Sequence, residues 1–250
     1  MNKKFGVQLY TLRNFLNSAD EIAETFAKIK NMGYDNIQTH CALKNYDNFA
    51  RLAQKAGLEI CGTFDDFEMM LNNPEQSIEN HRKLNTKIMG LAIATGYDNM
   101  EIVSDYINKF NKVAESIAPY GFKFAYHNHA HEFAKIEGKT ILDHFIDKTD
   151  KVSFCLDTYW TQKGGGDIRS YIKKLTGRLD ILHLKDYGRN KDTSFFASVG
   201  DGNLNWEGIM YEAQCAEVKY FVVEQDDCNG ESPFDALARS REYLEKFLSV

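Results

Sequence analysis

Four apolar runs in this chain each end on a side chain that can bind a metal or carry a proton. Residues 152–156 lead into Asp157, 180–182 into His183, 220–223 into Glu224, and 122–126 into the cluster His127-Asn128-His129-Ala130-His131-Glu132. A buried strand that closes on one polar residue, repeated through the second half of a chain, is the pattern of a barrel with its active site at the strand tips. In a barrel those tips converge. A lone carboxylate there is costly to desolvate, and a divalent cation removes that cost. The residue types suit a hard or borderline Lewis acid held by carboxylates and imidazole.

The run ending at His127 supplies the remaining ligand and an acid/base group. Strand alternation puts His127 and His129 on one face, and spacing leaves open which of His127, His129 and Glu132 meets the ion. His131 reads as a loop residue. Lys185, two residues beyond His183 on the same face, can stabilise a developing enolate oxygen or orient a hydroxyl. Candidates for substrate contact are Gln8, Tyr10 and Arg13 at the first strand and its loop, His40 at the tip of the second, Tyr159 and Trp160 after Asp157, and Asp186. Aromatic rings at a barrel mouth commonly pack on sugar faces. His81 and His144 fall in helical stretches and are assigned to surfaces. Gly164-Gly165-Gly166 lacks the Lys-Ser/Thr of a phosphate loop and reads as a flexible loop or hinge.

The elements that must position these residues alternate. Strands are predicted over 5–11, 36–40, 58–64, 87–94, 122–128, 152–157, 179–184 and 219–224. Helices are predicted over 18–33, 46–56, 76–85, 98–120, 140–148, 167–175 and 205–215, with a last one opening at Ser232-Pro233. Ser18 with Glu21 forms a capping box, Gly33, Gly57 and Gly121 are stops, and Pro233 sits at a first helical position. Ile102, Tyr106, Phe110, Val113 and Ile117 lie on one face at helical spacing. Eight strand–helix units in 250 residues match an α/β fold of one (β/α)8 TIM barrel over residues 1–250. A doubly wound sheet is the alternative, but no glycine-rich loop follows the first strand.

Composition narrows the class. A formal charge of -6 argues against nucleic acid as the main partner, which wants a basic face. No apolar stretch approaches the ~20 residues of a spanning helix, and the N-terminus lacks a signal peptide's apolar run, so a cytoplasmic location without membrane attachment is expected. The five cysteines form no CxxC pair and suit reduced thiols.

Taken together, Gln8-Leu9-Tyr10-Thr11-Leu12-Arg13, Tyr126-His127-Asn128-His129 through Glu132-Phe133, Leu156-Asp157-Thr158-Tyr159-Trp160, His183-Leu184-Lys185-Asp186, Val199-Gly200-Asp201-Gly202-Asn203 and Glu224-Gln225-Asp226 resemble the xylose isomerase-like barrel superfamily of sugar (phosphate) isomerases and epimerases, over almost the whole chain. The resemblance implies Mn²⁺, or Mg²⁺, Co²⁺ or Zn²⁺ in its place, held by Glu132, Asp157, His183 and Glu224. Many members carry Glu-Asn-His where this chain has His127-Asn128-His129. The His-Asn-His…Glu-Phe form is similar to a subgroup acting on 3-keto-glycosides, which implies His129 as acid/base, with His127 and Lys185 as further catalytic candidates. The expected activity is isomerisation or epimerisation of a keto-sugar through an enediolate, and the alternative is glycoside cleavage by elimination from the same intermediate. The expected partner is a small carbohydrate, and a homo-oligomer is compatible with the sequence. A zinc-cluster endonuclease would need more histidines at strand tips and a basic groove. A non-catalytic sugar sensor is disfavoured by the complete ligand set.

Overall fold

The computed structural model describes residues 4–248. Eight parallel strands close into a barrel: β1 Lys4–Gln8, β2 Asn36–Gln38, β3 Glu59–Phe64, β4 Ile88–Leu91, β5 Lys123–His127, β6 Ser153–Asp157, β7 Leu179–Leu184 and β8 Tyr220–Val223. Each strand pairs with its sequence neighbours, and β1 pairs with both β2 and β8, closing the ring. Helices follow the strands around the outside, so this is a (β/α)8 TIM barrel. Among the described residues no helix is long and apolar enough to cross a membrane.

The two-residue alternation of each strand decides what faces inward. A small interior cluster contains Cys61, Phe64, Ile88, Ala125, Cys155, Ile181 and Val222. Ala125, Cys155, Ile181 and Val222 each lie two residues before His127, Asp157, His183 and Glu224. The apolar plug and the polar group above it are therefore successive layers of the same strand faces. The register brings the layer level: Asp157 sits beside His183, and Val222 pairs with His183 so that Glu224 follows at the rim. The other strand face packs outward on the larger core, with Phe5, Phe124, Phe154, Leu182 and Phe221 all buried beneath the helices. At β1, Gly6 lies so close to Asn36 that an added Cβ would fall 1.9 Å from its Oδ1, and no larger residue fits.

Helix boundaries follow capping chemistry. Ser18 accepts the Glu21 N–H at the start of α1 (Ala19–Asn31), Asn45 the Asn48 N–H at α2 (Tyr46–Ala56), and Asn99 the Ile102 N–H at the long helix Met100–Ile117. Gly57 closes α2 with φ of 71°, a conformation that favours glycine.

Several details depart from the sequence expectations. The first strand stops at Gln8, because the Gln8 side chain accepts the Tyr10 N–H and starts a 3-10 segment, Leu9–Phe15. Helices Phe67–Asn72 and Thr158–Lys163, and a hairpin of strands Asp186–Asn190 and Thr193–Ala197, were not anticipated. His81 and His144 are buried rather than on surfaces: His81 bonds Thr63 Oγ1 and the Ser77 carbonyl, each at 2.7 Å, and His144 bonds the Ile136 carbonyl at 2.9 Å. The triple glycine is a packing feature, since a Cβ on Gly164 or Gly166 would lie within 2.4 Å of the Phe133 ring.

Candidate metal centre

His127, Asp157, His183 and Glu224 are all buried, and one ligand atom from each lies within 4.8 Å of the others. His127 Nε2 is 3.4 Å from Asp157 Oδ2, and His183 Nδ1 is 3.8 Å from the same oxygen and 3.1 Å from Glu224 Oε2. The far atoms of these side chains are already committed. His127 Nδ1 is 2.9 Å from the Ala92 carbonyl, which fixes the proton there and leaves Nε2 as a lone pair facing inward. His183 Nε2 is 2.6 Å from Gln38 Oε1, which leaves Nδ1 facing inward. Asp157 Oδ1 accepts the Trp160 N–H at 2.8 Å, capping the following helix, and leaves Oδ2 for the group. Two imidazole nitrogens and two carboxylate oxygens, with outer partners in place for His127, His183 and Asp157, fit a divalent cation.

Behind His183 stands a chain of amides. Gln8 Nε2 donates to Gln38 Oε1 at 3.0 Å, and both residues are fully buried. Phe64 packs on the two imidazoles, 5.2 Å from His127 and 5.7 Å from His183. Asn128 Oδ1 accepts the Asp157 N–H at 3.0 Å. Gln38, Phe64 and Asn128 were missed in the sequence. Gln38 had a signal, because it ends its strand one layer above Asn36, as Gln8 does above Gly6.

The residues that the structure brings together and the ligand set implied by the resemblance differ in one member. The structure brings together Asp157, His183 and Glu224, with His127 beside them and Glu132 elsewhere. Glu132 lies on the short turn His131–Phe133, where its carboxylate accepts the Tyr126 hydroxyl and, at 2.9 Å, the His129 N–H, with His131 Nε2 3.2 Å away. Tyr126 OH in turn meets Tyr97 OH at 2.8 Å. Glu132 thus anchors the backbone that presents His129. The Glu132 contacts raise the proton affinity of His131.

Lys185 is almost fully buried, with its ammonium 2.8 Å from Glu224 Oε2, 2.8 Å from Asp226 Oδ1 and 3.2 Å from Asp157 Oδ2. Burial opposes its charge, and the three carboxylates outweigh burial, so it stays protonated. Burial likewise disfavours charge on Asp157 and Glu224, but Lys185 and the neighbouring histidines hold both carboxyls below their ordinary range. Asp226 moves the other way, raised by burial and by Glu224. It was quoted in the sequence motif without a role.

Above this group is a cavity of about 240 Å³, with Glu224, Lys185 and His127 deep in it and Tyr10, His40, Ile93, His129 and Asp226 around it. His129 Nδ1 and Trp160 Nε1 are buried without a hydrogen-bond partner, and their rings are 5.2 Å apart. Buried orphan polar atoms call for a partner, which a ligand hydroxyl can supply. Burial, with His127 and the Lys185 ammonium nearby, pushes the His129 imidazole down to about 3, so it is neutral at pH 7.

The other predicted substrate contacts divide. Tyr10 and His40 line the cavity. Arg13 braces the mouth instead, donating to the Tyr10 carbonyl at 2.7 Å and the Asp226 carbonyl at 3.1 Å. Gln8 is a positioning residue behind Gln38. Tyr159 is buried against Phe196, with ring centroids 4.3 Å apart, and belongs to the wall. Asp186 faces away from the cavity: its buried carboxylate accepts N–H groups of Tyr187, Gly200, Gly202 and Leu204 and the indole N–H of Trp206, which ties down the loop after the hairpin.

A closed barrel with two histidines and two carboxylates at its strand tips defines a class of barrel able to hold a divalent ion. The family model described as xylose isomerase-like TIM barrel matches residues 26–247, and the chain belongs to that family. Among solved structures, a sugar phosphate isomerase/epimerase from Parabacteroides distasonis superposes with a TM-score of 0.82 at 22% identity, covering 98% of this chain and 94% of that one. The 3-keto-D-glucoside 4-epimerase from E. coli superposes with a TM-score of 0.73 at 14% identity, covering 98% and 99%. A xylose isomerase-like barrel protein from Mycobacterium smegmatis in complex with magnesium gives 0.72 at 14% identity, covering 99% and 97%. Among curated protein sequences none matches.

Proposed function

We propose that this protein is a divalent-metal-dependent isomerase or epimerase of a keto-sugar, working through an enediolate. The observation that carries the reading is the four-atom group itself, with both outward imidazole nitrogens already pinned so that the two inner nitrogens converge on two carboxylate oxygens. The magnesium complex of one structural neighbour and the sugar substrates named for two others support it.

A divalent ion bound there supplies Lewis acidity to a carbonyl and its adjacent hydroxyl. His127, Asp157, His183 and Glu224 hold it, and Glu132 is a positioning residue. Lys185 presents a fixed positive charge to the oxygen that gains negative charge, without reorganising during the reaction. His129 is neutral and unpartnered, and Asp226 has its proton affinity raised toward the working range of a general base. They enter from loops after β5 and β8, three strands apart around the ring. Two groups approaching from well separated directions can remove a proton on one side and return it on the other, as epimerisation requires. Expulsion of a β-substituent from the same enediolate gives the elimination alternative.

The test is incubation of 3-keto-glucosides, ketohexoses and inosose-type ketones with protein and Mn²⁺ in D₂O, followed by NMR. Deuterium should enter at the carbon next to the carbonyl only when protein and metal are both present. His129→Ala should abolish exchange while Mn²⁺ stays bound. Exchange that persists in the quadruple alanine variant of the four-atom group sinks the reading.

A further inference from the structure

We infer that Phe196, on the hairpin after β7, is a positioning residue for the proposed reaction: its ring dries one side of Lys185, so that the ammonium acts on the enediolate oxygen unscreened by water. This rests on the reading above and adds to it a residue that lies outside the strand-tip group.

The surroundings of the ammonium are the first argument. Lys185 has three hydrogens to donate, and three carboxylates face them at 2.8, 2.8 and 3.2 Å. Two aromatic rings flank the same nitrogen. It lies 5.4 Å from the ring centroid of Trp160 and 5.6 Å from that of Phe196, inside the ~6 Å reach of a cation–π contact. Carboxylates and rings together leave Lys185 1% exposed. Trp160 comes from the helix Thr158–Lys163, which follows β6 directly. Phe196 comes from the hairpin, an element added to the barrel.

Register is the second. The chain leaves the barrel at Lys185, runs out along Asp186–Asn190 and returns along Thr193–Ala197. Asp186 pairs with Ala197 and Tyr187 with Phe196, so the return strand brings Phe196 back to the base of the hairpin, beside the lysine from which it set out. Alternation sorts the two phenylalanines. Phe196 packs on Tyr159 and Trp160, with ring centroids 4.3 and 5.6 Å away. Phe195 lies on the other face over Gly188, where a Cβ would fall 2.4 Å from its ring. A slip of one residue would exchange the two rings.

Anchoring is the third. The Phe196 carbonyl accepts Gln225 Nε2 at 3.3 Å and Asn229 Nδ2 at 2.8 Å. Gln225 is buried, and its amide also bonds the Asp227 carbonyl at 3.2 Å and Ser198 Oγ at 3.3 Å. The segment after β8 thus carries two of the three carboxylates on Lys185 and both donors that hold Phe196. A preorganised charge stabilises an oxyanion best where water is excluded, and its pull weakens as the local dielectric rises. Removing the ring admits water to Lys185 and leaves all four converging atoms in place.

The experiment is acetylation of the Mn²⁺-loaded protein with an N-hydroxysuccinimide ester, followed lysine by lysine in a mass spectrometer. Lys112, exposed on the helix Met100–Ile117, is the internal standard. Phe196→Ala should raise the Lys185 rate about tenfold and lower kcat for deuterium exchange about tenfold, with KM and Mn²⁺ affinity unchanged. Phe196→Tyr keeps the ring and should keep both values. Asn229→Gly loses a donor to the Phe196 carbonyl at a position whose φ of 53° suits glycine. It should shift both values the same way, and it decides the matter should Phe196→Ala fold poorly. A Lys185 rate that stays at the wild-type level, a tyrosine variant as impaired as the alanine one, or metal affinity that falls in step with kcat would each overturn the proposal. Failure of the parent reading looks different: the wild-type protein exchanges no keto-sugar proton, while the Lys185 rates still report the shield.

Discussion

Glu132→Gln and His127→Ala separate a residue that grips the ion from one that positions its neighbour. Glu132 accepts three contacts, from the Tyr126 hydroxyl, the His129 N–H and His131. A net hydrogen bond to a charged group is worth about 1.5–3 kcal/mol against about 0.5–1.5 for a neutral one. Glutamine keeps the shape and loses the charge, so about 1 kcal/mol is lost per contact, or about 2–4 kcal/mol in all. At this chain length each kcal/mol lowers Tm by about 2–4 °C, giving a fall of about 4–16 °C for the metal-free protein. Mn²⁺ affinity should drop less than about tenfold, because changes to outer partners that bond ligands directly cost about 10–100-fold and Glu132 bonds none of the four. His127→Ala removes one of the four converging atoms and should exceed about 100-fold, beyond that outer-partner range. Calorimetric Mn²⁺ titration and thermal unfolding of both variants give the comparison. A Glu132→Gln protein that loses metal as severely as His127→Ala would return Glu132 to the ligand set and refute the geometry.

Three further outcomes follow from named contacts. Gln38→Leu removes the acceptor that fixes His183 Nε2–H and should weaken Mn²⁺ binding by about 10–100-fold, read by the same titration. Asp186→Ala strands three loop N–H groups, that of Tyr187 and the Trp206 indole, each costing about 1–3 kcal/mol where it stays buried and dry. Amide exchange should accelerate across residues 199–206 even if the barrel survives, and unchanged protection there would contradict the assignment. Asp180 is bonded by Lys123 at 2.6 Å, Lys219 at 3.0 Å and Ser153 at 3.0 Å. Burial opposes its ionisation, but the two lysines hold its carboxyl below the ordinary value. Its stabilising contribution is thus present above the unfolded value of about 3.9 and fades as pH falls through the folded value. The deficit of Asp180→Asn, about 1–3 kcal/mol at pH 7, should shrink steadily below about pH 3.9 in urea titrations, and a pH-independent deficit would exclude the ion pairs as its cause.

The barrel was legible because four buried strands in the second half of the chain lead into a polar residue, and because strand and helix patterns alternate eight times. Asp157, His183 and Glu224 could be placed on a common layer from alternation alone. The choice among His127, His129 and Glu132 could not be made that way. It depends on how the chain turns after β5, and the turn is set by the Tyr126 hydroxyl and the His129 N–H closing on Glu132, contacts that no periodicity encodes. The helix Thr158–Lys163 was invisible for a related reason: its cap is Asp157 Oδ1, so one carboxylate serves both the site and the helix. Asp186 misled because it follows the site residues in sequence while its side chain belongs to a loop reached only through the hairpin. Gln38 was overlooked although it ends its strand as Gln8 does, because its role is to orient another residue and not to meet the ion.

Charge balance ties the site together. Asp157, Glu224 and Asp226 surround one ammonium, Lys185, which leaves two negative charges uncompensated in a buried group, an arrangement that is costly. In the metal-free protein, protons make up the difference. Burial works against charge on His183, yet Cys155, Asp157 and Glu224 outweigh it and raise its proton affinity well above normal. Burial and Glu224 raise that of Asp226 in the same direction. A divalent ion brings the same two charges and requires His183 as a neutral ligand. Metal and protons therefore compete. His183 binds its proton more tightly than usual without the ion and releases it when the ion arrives, so Mn²⁺ affinity should fall as pH is lowered. Binding at neutral pH should release about one proton. Titration in buffers of different ionisation enthalpy measures that number directly, since the observed heat varies with the buffer in proportion to the protons released. Heats that are the same in every buffer would mean that the metal-free site already carries its negative charges unpaired, and the compensation argument would fail with them.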